Sequence, residues 1–117
     1  MQERIRDILA KQLRNNIDIL DVTFENYDLE VLSVGISGVD EEGWFQVVVE
    51  IIEKNNEKLN ESVSIKVNCY DEEGIIFSNS ITVYADDFSG YDTFNIYLNE
   101  DNLIYKTNKI RVFATKH

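Results

Sequence analysis

The sequence predicts a mostly β protein: a two-sheet antiparallel sandwich of seven strands preceded by one amphipathic helix. Three observations carry this. Apolar and polar residues alternate with period two from Ile17 to the end of the chain. The alternating runs are short and evenly spaced, with Asp, Asn and Gly clusters between them. Residues 2–14, by contrast, repeat their apolar positions every three or four residues. The expected units are therefore a helix within 1–16 and a β-sandwich over 17–117.

The helix QERIRDILAKQLR places Ile5, Ile8, Leu9 and Leu13 on one stripe. Glu3 near its start and Arg14 near its end suit the helix dipole, and Asn15 and Asn16 suit its termination. A helix of this length is marginal alone, so the stripe needs a support. Capping an open end of the sandwich is one such support. A homodimer through Ile5, Ile8, Leu9 and Leu13 is another, and a further reading is the remnant of a linker from an upstream membrane segment. The basic charge of this segment against an acidic body favours docking on its own chain.

Strands are expected at Ile17–Glu25, with Leu20, Val22 and Phe24 on one face, and at Leu29–Gly38, where Gly35 and Gly38 point to a bulge or a close backbone approach. The next spans Trp44–Lys54 with Phe45, Val47, Val49 and Ile51 inward; Val48 and Ile52 on the other face imply partial cover on both sides. Ser62–Tyr84 is a hairpin turned at Asp71-Glu72-Glu73-Gly74. Its first strand turns Val63, Ile65, Val67 and Cys69 inward. Its second places Ile75, Phe77, Ile81 and Val83 on one face, with Asn79 interrupting at a bulge. Tyr91–Leu98 follows, with Phe94, Ile96 and Leu98 inward. A connection over 99–108 packs back through Leu103 and Tyr105, and Lys109–Thr115 closes the set with Ile110, Val112 and Ala114 inward.

The 117 residues carry a net charge of −11. Residues 1–16 hold +2 and residues 17–117 hold −13. Such a body repels nucleic acid and anionic lipid, and favours basic proteins, cations or neutral surfaces as partners. The charge also keeps a β-rich chain soluble. No apolar run is long enough to span a membrane. The charged N-terminus lacks the apolar stretch of a signal peptide. The expected compartment is the cytoplasm, or a bacterial cell envelope if a leader has been removed. A lone cysteine, Cys69, allows no internal disulfide.

Residues 44–98 resemble a bacterial family of immunoglobulin-like modules, the FxLYD domain. The likeness rests on Val47-Val48-Val49-Glu50-Ile51-Ile52, then Asn55-Asn56, then Val67-Asn68-Cys69-Tyr70-Asp71 and the Glu73-Gly74 turn. Asp86-Asp87-Phe88, Gly90 and the Phe94 strand follow in order. Val67 and Cys69 stand where the motif has Phe and Leu, both still apolar. The resemblance implies an immunoglobulin-like sandwich acting as a non-catalytic accessory or interaction module, often tied to the bacterial envelope. It carries no active site over.

Catalysis finds no support in the residues. His117 is the only histidine and is terminal. Cys69 faces the core without a neighbouring base. Zinc needs Cys and His clusters that are missing, and no Gly-rich phosphate loop is present. No cofactor is implied. Two surfaces remain. If neighbouring strands run antiparallel, the loops Asp40–Gly43, Asp71–Gly74 and 99–107 share one pole. Asp40, Glu41, Glu42, Asp71, Glu72, Glu73, Glu100 and Asp101 would gather there. They could meet a basic partner, or Asp40, Glu42, Asp71, Glu73, Glu100 and Asp101 could ligate calcium; acidic residues before glycine also simply make tight turns. The opposite pole holds Asp28, Glu57, Lys58, Glu61, Asp86 and Asp87. The second surface is an outward aromatic patch of Tyr70, Tyr84, Tyr97 and Phe113. The resulting reading is a non-enzymatic module that binds a protein through one of these surfaces. The alternatives are an acidic immunity-type inhibitor of a basic toxin or nuclease, and a carbohydrate-binding accessory domain.

Overall fold

A computed structural model describes residues 4–55 and 57–117. The strands are β1 (Ile17–Ile19), β2 (Leu29–Ser37), β3 (Phe45–Glu53), β4 (Val63–Asp71), β5 (Gly74–Val83), β6 (Tyr91–Leu98) and β7 (Lys109–Lys116). The helical segments are α1 (Ile5–Arg14), α2 (Asp21–Glu25) and α3 (Leu103–Lys106). The strands form two sheets, ordered β1-β7-β4-β5 and β2-β3-β6. Every pairing is antiparallel except β1 with β7, which is parallel. Two sheets in a sandwich are as expected, and the parallel β1–β7 pair departs from the antiparallel expectation. The strand order differs from the constant-type immunoglobulin domain, where the first strand pairs with the second; here the β2–β3 hairpin stays within one sheet.

The central strands β3 and β4 supply the middle of the core. Phe45, Val47, Val49 and Ile51 are buried on β3; Val63, Ile65, Val67 and Cys69 are buried on β4. Ile110 and Val112 of β7 and Ile96 and Leu98 of β6 extend the same layer. Val48 and Ile52 are half-buried on the outer face of the three-stranded sheet, as expected. Glu53, last on β3 and inward by the same alternation, is also buried. Its carboxylate accepts the amides of Asn55 at 3.1 Å and Glu57 at 2.6 Å, so it organises the crossover to β4.

Several expectations are corrected. The strand expected over Ile17–Glu25 stops at Ile19, and α2 follows. Leu20 donates its amide to the Val112 carbonyl, the Thr23 hydroxyl donates to the Leu20 carbonyl, and Thr23 Oγ1 accepts the Ala114 amide. Those bonds turn the chain into a helix that buries Phe24 and leaves Val22 exposed. On β5, Ile76 has no partner on β4, because Cys69 pairs with Phe77 while Tyr70 pairs with Ile75. This bulge reverses the alternation, so Ile75 faces out rather than sharing the Phe77 face. Asn79 pairs regularly with Val67 and is not the bulge. The bulge on β2 falls at Leu32, between Val31 and Ser33, and not at a glycine. Gly38 does mark a close approach: a Cβ there would lie 2.8 Å from the Gln46 amide nitrogen.

The helix docks on its own chain at the pole where β2, β4 and β6 end. Leu13 and Ala10 are buried, Leu9 is half-buried, and the Arg14 guanidinium donates to the Ile36 carbonyl at 2.7 Å. Ile5 and Ile8, the outer part of the stripe, stay exposed. Replacement Leu13→Ala is therefore expected to cost about 2–4 kcal/mol in urea unfolding, whereas Ile5→Ser changes stability by less than about 0.5 kcal/mol. Equal losses for both would mean that the whole stripe is buried, as a dimer would require.

Candidate functional site

The three acidic loops do meet at one pole. The antiparallel ladders β2–β3 and β3–β6 bring the Asp40–Gly43 turn beside the end of β6. Backbone hydrogen bonds then lock the loops together. Asn102 donates to the Glu42 carbonyl at 2.6 Å, and Ile104 donates to the Gly43 carbonyl at 3.0 Å. Asn108 donates to the Tyr70 carbonyl at 2.7 Å, which ties the same connection to the β4–β5 turn. Gly43 permits this contact: its φ is +83°, and a Cβ would come within 2.8 Å of the Asn102 backbone. Leu103 and Ile104 fill the space beneath, and α3 packs beside α1. Tyr105, expected to pack back, is instead exposed; a helical turn sends it to the face opposite the buried pair.

The carboxylates at this pole divide into two kinds. The aspartates hold the loops. Asp40 accepts the amides of Glu42 and Trp44. Asp71 accepts those of Glu73 and Gly74. Asp101 accepts the Trp44 indole N–H at 2.9 Å. The glutamates are directed outward: Glu41, Glu42, Glu72 and Glu73 are exposed and Glu100 is half-exposed. Among the described residues, no group of three or more His, Cys, Asp or Glu side chains is placed to hold a metal ion. Trp44 stands 38% exposed among the carboxylates, fixed by its bond to Asp101. Tyr105 is exposed on the same pole. Sequence alternation alone marked Trp44 as a strand opener and missed its place at the pole rim.

The expected aromatic patch is not one surface. Tyr70 and Phe113 lie on the outer face of the four-stranded sheet, half-buried. Tyr97 lies on the outer face of the other sheet, beside Gln46. Tyr84 follows the end of β5 at the opposite pole, where its ring meets His117 edge-on at 5.9 Å. On the three-stranded sheet, Tyr91 donates to Glu50, which also accepts from Ser33. The Glu50 carboxylate pushes the Tyr91 hydroxyl above its ordinary pKa. On the four-stranded sheet, the Tyr70 ring carries Lys109 at 4.9 Å and Arg111 at 5.3 Å. Arg111 also pairs with Asp18 at 3.0 Å, which raises its pKa further.

A small cleft of about 110 Å³ opens between β5 and β6 at the opposite pole, lined by Tyr84, Asp87, Phe88, Asp92 and Phe94. Phe88 and Phe94 stack at 6.4 Å beneath it. A hollow of about 480 Å³ runs between α2 and β2, and Asp21, Glu25, Glu30 and Lys54 line it.

No family model matches this chain, and neither the curated proteins nor the solved structures contain a significant match.

Cys69 is fully buried, and burial pushes its thiol up to about 12. The thiol is expected to resist an aromatic disulfide reagent at pH 8 until the protein unfolds. The folded-state pKa lies above the unfolded value near 9.0, so the neutral thiol's contribution is complete below about pH 9 and is lost as pH rises toward about 12. In urea titrations, Cys69→Ala should lack that part of the alkaline decline; an identical decline in both proteins would show that Cys69 ionises equally in both states.

Proposed function

We propose that this chain is a non-enzymatic interaction module that binds a basic protein through its acidic pole. The observation that carries the reading is the division of labour among the carboxylates. Asp40, Asp71 and Asp101 are spent on the loops and on Trp44, while Glu41, Glu42, Glu72 and Glu73 project from a hydrogen-bonded frame. A fixed indole ringed by exposed acid suits an interface: the charges steer a basic partner in, and the aromatic anchors it. Because the loops are already bonded to each other, little ordering is left for the moment of binding.

The kinship to FxLYD-like, immunoglobulin-like modules belongs to the same reading. Its support is the residue order over 44–98 together with four strands facing three. An immunity-type inhibitor would use the same pole against a toxin or nuclease, and the net charge of −11 is what favours that version.

The test compares immobilised wild type with two neutralised variants in an extract of the source organism. One replaces Glu41, Glu42, Glu72 and Glu73 by Gln. The other replaces Glu57 and Glu61 by Gln and Asp86 and Asp87 by Asn. The pole variant should lose a species that wild type and the opposite-pole variant both retain. Trp44→Ala should weaken capture about tenfold or more with the charge intact. Raising NaCl from about 50 to about 500 mM should release the partner. Equal capture by all the variants would remove the pole from the reading.

A further inference from the structure

The four-stranded sheet has an outer face unlike the rest of the molecule. Pairing across β7, β4 and β5 lays its side chains in rows. Phe113, Lys66 and Ser80 form one row; Arg111, Asn68 and Ser78 form the next; Lys109, Tyr70 and Ile75 form a third. In a chain of net charge −11, three cations therefore share this face, and Asp18 of β1 is the carboxylate set against them, paired with Arg111. Lys109 and Arg111 are committed to the Tyr70 ring. The Lys66 side chain is exposed and, among the described residues, enters no ion pair or hydrogen bond.

An open groove of about 410 Å³ lies on this face, lined by Lys66, Asn68, Ser78, Asn79, Ser80 and Phe113. Its polar floor is ordered. Ser78 donates to Asn68 Oδ1 at 2.7 Å, and Asn68 Nδ2 reaches the Tyr70 hydroxyl at 3.3 Å. Asn79 is anchored at the rim by its bond to the Tyr97 carbonyl.

We propose that this groove binds a saccharide that carries a carboxylate. A pyranose ring has an apolar C–H face and a rim of hydroxyls. The half-buried Phe113 ring suits the C–H face. The fixed amide of Asn68 and the hydroxyls of Ser78 and Ser80 suit the rim, with donors and acceptors in short, rigid side chains. Lys66 supplies a single uncommitted positive charge for the carboxylate. An extended acidic peptide fits less well. β4 and β7 have both backbone edges paired, and at the β5 edge the Ile76 bulge and the Asn79 side chain, which accepts the Ser80 amide, oppose the addition of a peptide strand. A long polyanion is repelled by the acidic body. The site is separate from the acidic pole, and it stands or falls independently of that reading.

The test is amide-shift NMR on the intact chain with digalacturonic acid, its neutral counterpart digalactose, and a penta-glutamate peptide. The acidic sugar should shift Lys66, Asn68, Ser78, Ser80 and Phe113 and leave Glu41, Glu42, Glu72 and Glu73 still. Digalactose should bind about tenfold more weakly, the worth of one charge-assisted hydrogen bond. Lys66→Gln should lose the same factor for the acidic sugar and nothing for the neutral one. Phe113→Leu, which keeps the buried apolar contact, should weaken both sugars. No shift on this face at millimolar sugar overturns the proposal, as does equal binding by Lys66→Gln. Tighter binding of the peptide than of the acidic sugar also overturns it, and would make the face a peptide surface.

Discussion

The apolar layer between the two central strands is the constraint on which the rest of the molecule depends. Val47, Val49 and Ile51 of β3 and Ile65, Val67 and Cys69 of β4 have no measurable exposure. Each fully buried side chain of this kind contributes roughly 1.5–3 kcal/mol relative to leaving it in water. Both strands have neighbours on each side, β2 and β6 for β3, β5 and β7 for β4. Their backbones are satisfied and their inner faces dry. Everything else hangs from this pair: the hairpin turns leave their ends, and the crossover from β3 to β4 starts at Glu53, which accepts the amides of Asn55 and Glu57.

Because the central ladders are antiparallel and regular, the position of the loops follows from them. That is why the shared acidic pole was legible in the sequence. Placing Asp40–Gly43, Asp71–Gly74 and the 99–108 connection at one end requires only that strand directions alternate. The aromatic patch was not legible for the complementary reason. Alternation states whether a side chain faces in or out, and it is silent about which sheet a strand joins. Tyr70 and Phe113 share a face because β4 and β7 are neighbours, while Tyr97 is on β6 across the core. The partition of strands between sheets depends on crossovers whose direction leaves no local residue signature.

Most of the strands were readable to within a residue or two, and the failures have local causes. Leu20, Val22 and Phe24 fit a strand by spacing, but Leu20 and Phe24 also share one face of a helix, with Val22 opposite. Five residues are too few for periodicity to separate the two. The choice was made elsewhere, by Thr23 bonding the Leu20 carbonyl and the Ala114 amide. On β5, one extra residue at Ile76 reversed the face of Ile75. A bulge leaves no mark in apolar content, only in the register of the partner strand. The shared cause is that both decisions are made by a partner strand, β7 in one case and β4 in the other.

The edges carry features that oppose pairing of the sheets with other copies. β5 is a ten-residue edge strand, GIIFSNSITV, with no charged residue and no proline. An edge of that composition is a template for pairing with a second chain. Two local devices oppose this. The Ile76 bulge interrupts the register that an incoming strand would need. Asn79 then uses both ends of its amide: Oδ1 accepts the Ser80 amide at 2.8 Å, and Nδ2 donates to the Tyr97 carbonyl of β6 at 2.6 Å. Asp92 repeats the first half of this on the facing edge, accepting the Thr93 amide at 2.8 Å. Backbone groups that would otherwise recruit a neighbour are satisfied from within, and the seam between the sheets is tied at the same point. On that side the β5 edge itself carries no charge, and the charges are concentrated in the loops and on the outer faces. The acid collects at the pole that α1 helps to brace, and the cations collect on the outer face of the four-stranded sheet.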